Sequence, residues 1–320
     1  MDYVRLGATG LKVSRLCLGC MSFGSGMDWM LSEADSRAII KKSVEAGINF
    51  FDTADIYSHG ESELITGKAL KDFGPPREET VIATKVFHPM GEDPNRRGLS
   101  RKHIMHSIDA SLERLGVDYV DLYQIHRFDY STPIEETLEA LDEVVKSGKA
   151  LYIGASTMWA WQFAKLQFTA DRLGTTRFVS MQNHYNLLYR EEEREMNPLC
   201  VDQGVGLIPW SPIAGGLLAG SRKAGTVRSK SPMIRDRFKR PADEAVIDAV
   251  AKVAAARGCR PAEVAVAWLL SRPGVASPIV GVTKPEHLDD PLKALDAKLT
   301  DEEVAELEAP YVAQPAMGIL

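Results

Sequence analysis

Gly47-Ile48-Asn49-Phe50-Phe51-Asp52-Thr53-Ala54-Asp55-Ile56-Tyr57-Ser58-His59-Gly60-Glu61-Ser62-Glu63 contains a strand, a turn and a helix start in one short stretch. Ile48, Phe50 and Phe51 form an apolar run of strand length, bounded upstream by Ala46-Gly47. The run ends on a carboxylate, Asp52. Tyr57 follows five residues later, and Ser58-x-x-Glu61 has the spacing of a capping box, which predicts a helix starting there. Asp52 therefore stands where a strand stops, and Tyr57 in the loop before a helix. Taken alone, Asp52 reads first as an acceptor for turn amides, and Tyr57 as a loop aromatic with its hydroxyl in water; the rest of the chain shifts that balance.

The same strand–turn–helix unit recurs along the chain. Apolar runs of strand length lie at Leu16–Cys20, Ile48–Asp52, Val81–Lys85, Val120–His126, Leu151–Gly154, Phe178–Gln182, Gly206–Pro209 and Pro278–Val280. Between them, Ser36–Glu45, Arg101–Leu115 and Ile134–Lys146 carry apolar residues at steps of three and four, the rhythm of an amphipathic helix. Glu244–Ala256 and Pro261–Leu270 read as two further helices before the last strand, with Pro261 suited to a first helical position. Thr300 with Glu303 predicts a capped terminal helix over Thr300–Glu308. Tyr3–Val13, around Gly7 and Gly10, reads as a hairpin. Nearly continuous apolar strands alternating with helices imply a buried parallel sheet. Eight such units predict a closed (β/α)8 TIM barrel, an α/β fold, and no linker-like stretch divides residues 1–320 into more than one domain. Gly24-Ser25-Gly26-Met27-Asp28-Trp29 lacks the third glycine of a dinucleotide fingerprint, which argues against an open Rossmann sheet.

The 320 residues are 45% hydrophobic and 26% charged, with a net charge of −6. That composition is globular and argues against a general nucleic-acid or membrane-surface binder. The amino terminus lacks the basic-then-apolar form of a signal peptide, and four cysteines do not make a disulfide framework, so a cytoplasmic location is expected. Cys17 and Cys20 form a CxxC. Their odd spacing in a strand sends them to opposite faces, and Cys200 and Cys259 supply no second pair, so no metal site is expected.

In a barrel of this kind chemistry sits at the carboxyl ends of the strands. Those ends carry Asp52, Lys85, His126, Ser156, Gln182 and Trp210-Ser211. A lysine inside an apolar run such as Val81-Ile82-Ala83-Thr84-Lys85 is seldom buried without a partner, and Asp52 is a suitable one. Tyrosine, with a pKa of ~10, is a weak acid for work near neutrality, and a neighbouring ammonium can lower it by roughly 1–3 units. Lys85 is placed to do so, and His126 to orient a substrate oxygen as a neutral donor.

Asp52, Tyr57, Lys85 and His126 resemble, in order and strand context, the Asp–Tyr–Lys–His tetrad of the aldo-keto reductase family. Gly47 to Tyr57 resembles the family's signature, and the resemblance covers essentially the whole chain. It implies an NADP(H)-dependent carbonyl reductase on a (β/α)8 barrel, with Tyr57 as general acid. Gly154-Ala155-Ser156-Thr157 is similar to the family's Gly-Val-Ser-Asn, implying that Ser156 and Thr157 hold the nicotinamide amide together with Gln182, Thr157 standing in place of the Asn. Trp210 falls where the family stacks an aromatic on the nicotinamide, though it reads also as a core aromatic. The loop from Ser211 through Ile213 and Gly215 to Gly220 lets backbone amides approach phosphates. Ser221–Arg240 holds eight Lys/Arg against one acid, Asp236, in an acidic protein, and Arg222 is its candidate phosphate contact. Gly281, Thr283, Lys284, His287 and Asp290 resemble the adenosine-phosphate segment, opening a helix after the last strand. His287 stands where members carry Arg or Gln, and Pro291 where many carry Asn.

Trp29, Phe87, Phe128 and Trp159 follow strands one, three, four and five and are candidates to line an apolar pocket for a small-molecule carbonyl substrate. Two other classes compete. One is a cofactor-binding regulatory subunit, similar to the potassium-channel β-subunits that share the tetrad. The other is a metal-dependent barrel isomerase or hydrolase built on Asp52 and His126, against which stands the absence of any HExxH-type arrangement among seven histidines. No motif specifies an assembly state.

Overall fold

A computed structural model describes residues 1–220 and 240–317. Strands β1 (Tyr3–Arg5) and β2 (Lys12–Ser14) pair antiparallel as the expected hairpin. Eight parallel strands follow: β3 (Cys17–Gly19), β4 (Phe50–Asp52), β5 (Val81–Val86), β6 (Val120–Ile125), β7 (Ala150–Ser156), β8 (Phe178–Gln182), β9 (Gly206–Leu207) and β10 (Ile279–Val280). Their order is β10-β3-β4-β5-β6-β7-β8-β9. The two ends of the sheet meet: Leu207 N donates to Gly274 O at 2.9 Å, and Ile279 N donates to Pro209 O at 2.8 Å. The sheet curls on itself, and the fold is the expected (β/α)8 barrel.

Helices α1 (Glu33–Glu45), α2 (Glu61–Phe73), α3 (Arg101–Leu115), α4 (Ile134–Lys146), α5 (Ala160–Leu173) and α6 (Met196–Asp202) lie between the strands. After β9 come α7 (Pro241–Arg257) and α8 (Pro261–Leu270), and after β10 come α9 (Asp289–Ala294) and α10 (Asp301–Glu308). Local signals set several ends. Ser32 and Ser100 cap α1 and α3, Gly116 closes α3 in the left-handed region, and Thr300 and Glu303 form the expected box on α10.

The strands are buried on both faces, as their apolar runs require: every residue of β5 and β6 is buried. Alternation divides them into two cores. Cys17, Phe50, Val81, Ala83, Leu122 and Ile208 cluster with Leu6 and Val13 of the hairpin, which plugs one end of the barrel. Leu18, Phe51, Ile82, Tyr123, Ile153 and Met181 join the helices in the second cluster. Cys17 and Cys20 fall in different clusters, on opposite faces as their spacing predicts.

One local expectation is overturned. Ser58 does not cap α2: the cap position is Gly60, in the left-handed region. Ser58 itself has φ 48°, and its Oγ donates to Phe23 O at 2.9 Å, while Glu61 accepts from Ser25 N and Oγ. Bonds to the loop after β3 outcompete the helix-end bond that the spacing predicts.

Helices α2 and α3 approach so closely at Gly67 that a Cβ there would lie 2.0 Å from Leu115 O. A backbone atom cannot swing aside, so Gly67→Ala forces the helices apart. We expect a stability loss of about 3 kcal/mol, at the upper end for an overpacked site, read from the shift in urea midpoint.

Candidate active site

Alternation along the strands sends Asp52, Lys85, Gln124 and Gln182 to the barrel interior in one layer near the carboxyl ends. The Asp52 carboxylate is their hub. Its Oδ2 accepts from Lys85 Nζ at 2.6 Å, and its Oδ1 accepts from the side-chain amides of Gln124 and Gln182, each at 2.9 Å. Lys85 Nζ also donates to Thr53 O at 2.8 Å and to Tyr57 Oη at 3.2 Å, which occupies its three hydrogens. Lys85 is 0% exposed and Asp52 2%. A buried ion pair is tolerable only when its remaining hydrogen-bonding capacity is met, and here it is. The His126 ring stands edge-on to Tyr57, centroids 5.7 Å apart. Asp52, Lys85 and His126 from the strand ends and Tyr57 from the loop after β4 therefore meet in one place.

Burial sets the charge states. It pushes the Tyr57 phenol above its ordinary value, and Lys85, acting in the opposite direction, does not cancel that push. The expected net lowering of Tyr57 is thus reversed in this structure, because desolvation of the half-buried phenol outweighs one ammonium already shared with Asp52. Burial would lower Lys85, but Asp52 and Tyr57 hold it above its usual value, firmly charged. Burial, then Lys85, drives His126 well below the normal imidazole range, so it is neutral. Its Nδ1 is enclosed and meets no partner among the described residues.

Two residues of this centre escaped the reading of the sequence. Gln124 lies two residues before His126 and so shares its face, a parity signal that was there to be used. His88 packs edge-on against His126, centroids 4.6 Å apart, and is pushed down to about 4 by burial and then by Arg127. Nothing local marks it, since it lies beyond the strand.

The candidate cofactor residues fall into groups. Ser156 Oγ donates to Gln182 O at 2.9 Å, Thr157 N to the same oxygen at 3.1 Å, and Trp210 Nε1 to Thr157 Oγ1 at 3.1 Å. Trp210 lies flat on His184 (4.1 Å, 9°), and His184 flat on Tyr189 (4.5 Å, 12°), a three-ring stack that fixes the indole. Gln182 Nε2 is committed to Asp52 and, at 3.2 Å, to Gln124 Oε1. Ser211 (φ 60°), Gly215 (φ 66°) and Gly216 (φ 102°) give the loop after β9 its left-handed turns, with Ile213 half-buried between them. Thr283 Oγ1 lies 3.4 Å from His287 Nδ1, and Gly281 and Lys284 are exposed. Asp290 is buried against Arg260 Nε at 3.3 Å, so its charge is engaged within the fold. Arg222 and most of the basic segment lie outside the described residues.

The four aromatic pocket candidates do not form one wall. Phe87 touches His88 (5.3 Å) and so adjoins the His126 side. Phe128 packs with Tyr130 and Trp161 at the rim. Trp159 borders a separate cavity with Met158 and Tyr189, and Trp29 is half-buried in the loop after β3.

Behind β5 sits a second buried carboxyl. Asp55 is 0% exposed, and neither of its oxygens meets a partner at full hydrogen-bond geometry among the described residues. Burial, then Glu63, raises it to about 8 against the weaker pull of the Ile56 amide. The folded chain keeps this proton to a higher pH than the unfolded chain does. Its stabilising contribution is complete below the unfolded value near 4 and is lost as pH rises through about 8. Asp55→Asn, a neutral near-isostere, should therefore gain stability over the wild type progressively from acid to about pH 8 and then level off. Urea midpoints at several pH values will check this, and a pH-independent difference would refute it.

The sequence profile of the Aldo/keto reductase family matches residues 15–311. Versiconal hemiacetal acetate reductase of Aspergillus parasiticus is 47% identical, with 98% of this chain and 97% of that protein aligned. An aldo-keto reductase of Alternaria alternata is 44% identical over 99% of this chain and 93% of its own. A Schizosaccharomyces pombe protein named for aryl-alcohol dehydrogenase activity is 44% identical over 99% and 97%. With the barrel and its interior Asp–Lys–Tyr–His cluster, these similarities make the chain a member of the aldo/keto reductase family, an oxidoreductase that acts on carbonyl groups with a nicotinamide cofactor.

Proposed function

We propose that this protein reduces aldehydes and ketones to alcohols, reversibly, using NADPH, with Tyr57 as the general acid. One observation carries the reading: Tyr57 Oη rests 3.2 Å from an ammonium that Asp52 holds charged at 2.6 Å. A bound NADPH supplies the hydride. As the carbonyl oxygen takes up negative charge, Tyr57 hands it a proton, and Lys85 stabilises the phenolate left behind. Asp52, fixed by the amides of Gln124 and Gln182, keeps Lys85 aimed. His126, neutral, orients the carbonyl oxygen. Burial of Asp52, Lys85, Gln124, Gln182 and His126 keeps water from their contacts and strengthens them, while Tyr57, half-buried, stays open to a substrate.

The residues present suit a nicotinamide. Ser156 and Thr157 sit at the end of β7, Gln182 retains its amide oxygen as an acceptor, and the ring stack holds Trp210 flat. The left-handed turns at Ser211, Gly215 and Gly216 support phosphate binding by backbone amides, and Thr283 with Lys284 supports an adenosine-side phosphate. Four free cysteines support a reducing, cytoplasmic compartment.

The test is NADPH oxidation followed at 340 nm with aromatic and aliphatic aldehydes, alongside cofactor titration. Turnover with NADPH, and weaker binding of NADH, is the expected result. Binding without reduction of any aldehyde would favour a regulatory subunit, and no binding of NADPH would remove the proposal.

A further inference from the structure

A cavity of about 270 Å³ lies between the loops that follow β7 and β8, lined among others by Met158, Trp159, Tyr189, Glu192, Met196 and Ala316. None of the tetrad borders it. Glu192 is the anomaly there. It is 8% exposed, yet among the described residues its carboxylate receives one hydrogen bond, a 3.5 Å contact from Asn183 Nδ2. Asn183 gives its better bond, 2.8 Å, to Asn197 Oδ1. The cation at the rim, Arg194, is spent on Glu191 at 2.6 Å and is largely exposed. Glu195 adds further negative charge at the border.

A buried carboxylate normally collects several donors or a counter-charge, because desolvation without them is costly. Burial indeed pushes Glu192 up to about 7, so that it ionises readily near neutrality once a cation approaches. The other walls are an indole, a phenol ring and two methionines. Aromatic rings attract cations through their electron-rich faces, and thioethers adapt to irregular apolar shapes. We infer that this cavity is a binding site for a small organic cation, an alkyl- or arylammonium compound whose charge meets Glu192 and whose hydrocarbon part packs on Trp159 and the methionines. Ala316, an exposed residue of the carboxyl-terminal segment, closes one side. Tyr189, the outermost ring of the stack on Trp210, forms another wall, which separates this site from the tetrad by a layer of side chains.

The test is isothermal titration of the full-length protein with benzyltrimethylammonium chloride, with benzyl alcohol as the neutral counterpart and ionic strength held constant. The cation should bind at one site, and Glu192→Gln should weaken it by about tenfold or more while leaving benzyl alcohol unchanged. Ala316→Trp, a change on an exposed segment that fills the cavity, should abolish binding of the cation even if Glu192→Gln fails to fold. Reductase activity should show no competition between the cation and the aldehyde. Undiminished affinity in either folded variant, no binding of the cation to the wild type, or competition with the aldehyde would overturn the inference. None of these readouts depends on Tyr57 being the acid.

Discussion

Tyr57→Phe should lower kcat for aldehyde reduction by about 10²–10⁴-fold, the range expected when a positioned proton donor is removed. Cofactor affinity should be unchanged, because the hydroxyl touches Lys85 and not the residues at the ends of β7 and β8. The ring remains in place and still packs against His126. Single-turnover measurements would locate the loss in the chemical step. The wild-type pH profile follows from the same burial. Tyr57 is held above its ordinary value and His126 well below its own, so neither changes charge between about pH 6 and 9. The rate of reduction at saturating substrate should show no titration of Tyr57 or His126 in that window. Any inflection near pH 8 would report Asp55, which lies against Lys85 and is raised to about 8, and the loss of the general acid should appear only at more alkaline pH. A Tyr57→Phe enzyme that kept a tenth or more of wild-type kcat would remove Tyr57 from its role.

The second large effect concerns folding. Asp52→Asn should cost about 3–5 kcal/mol of stability, as breaking one half of a buried ion pair leaves the other charge uncompensated. In the wild type Lys85 is enclosed and depends on Asp52 for its counter-charge. An asparagine presents either a weaker acceptor or an N–H that opposes the ammonium. With Asp52 gone, burial depresses Lys85 below its unfolded value, so the unfolded chain binds the extra proton. Stability of the variant should then rise with pH toward about 10, and its deficit relative to the wild type should shrink. A deficit that stayed constant with pH would indicate lost packing alone. The double variant Asp52→Asn/Lys85→Met should recover part of the loss, because removing both charges removes the unpaired one.

How far such effects could be read from residue order alone depends on the distance over which each cause acts. Apolar runs are local, so the strands and the place of Asp52, Lys85 and His126 at their carboxyl ends were legible. The Tyr57 loop was legible as a loop, but not its course. Ser58 takes a left-handed turn because Phe23 O, thirty-five residues earlier, accepts its hydroxyl. A capping-box spacing cannot register that competitor. Gln124 was within reach through the parity it shares with His126, which its place at a strand end had marked. The Gln182 bond to Asp52, by contrast, spans 130 residues.

Residue order carried the eight strands and the helices other than α5 and α6, which no periodicity marked, because apolar runs and helical rhythm are local. It also carried the tetrad's four members, through their places at strand ends and in the loop after β4 and through their resemblance to a family pattern. Only closure of the barrel decided the rest. It stacked Tyr189, His184 and Trp210, paired Asp290 with Arg260, and brought His88 onto His126. It also reversed the expected net direction of Tyr57, although Lys85 still acts downward, because desolvation depends on everything that surrounds a group in three dimensions, and no spacing along the sequence carries that sum.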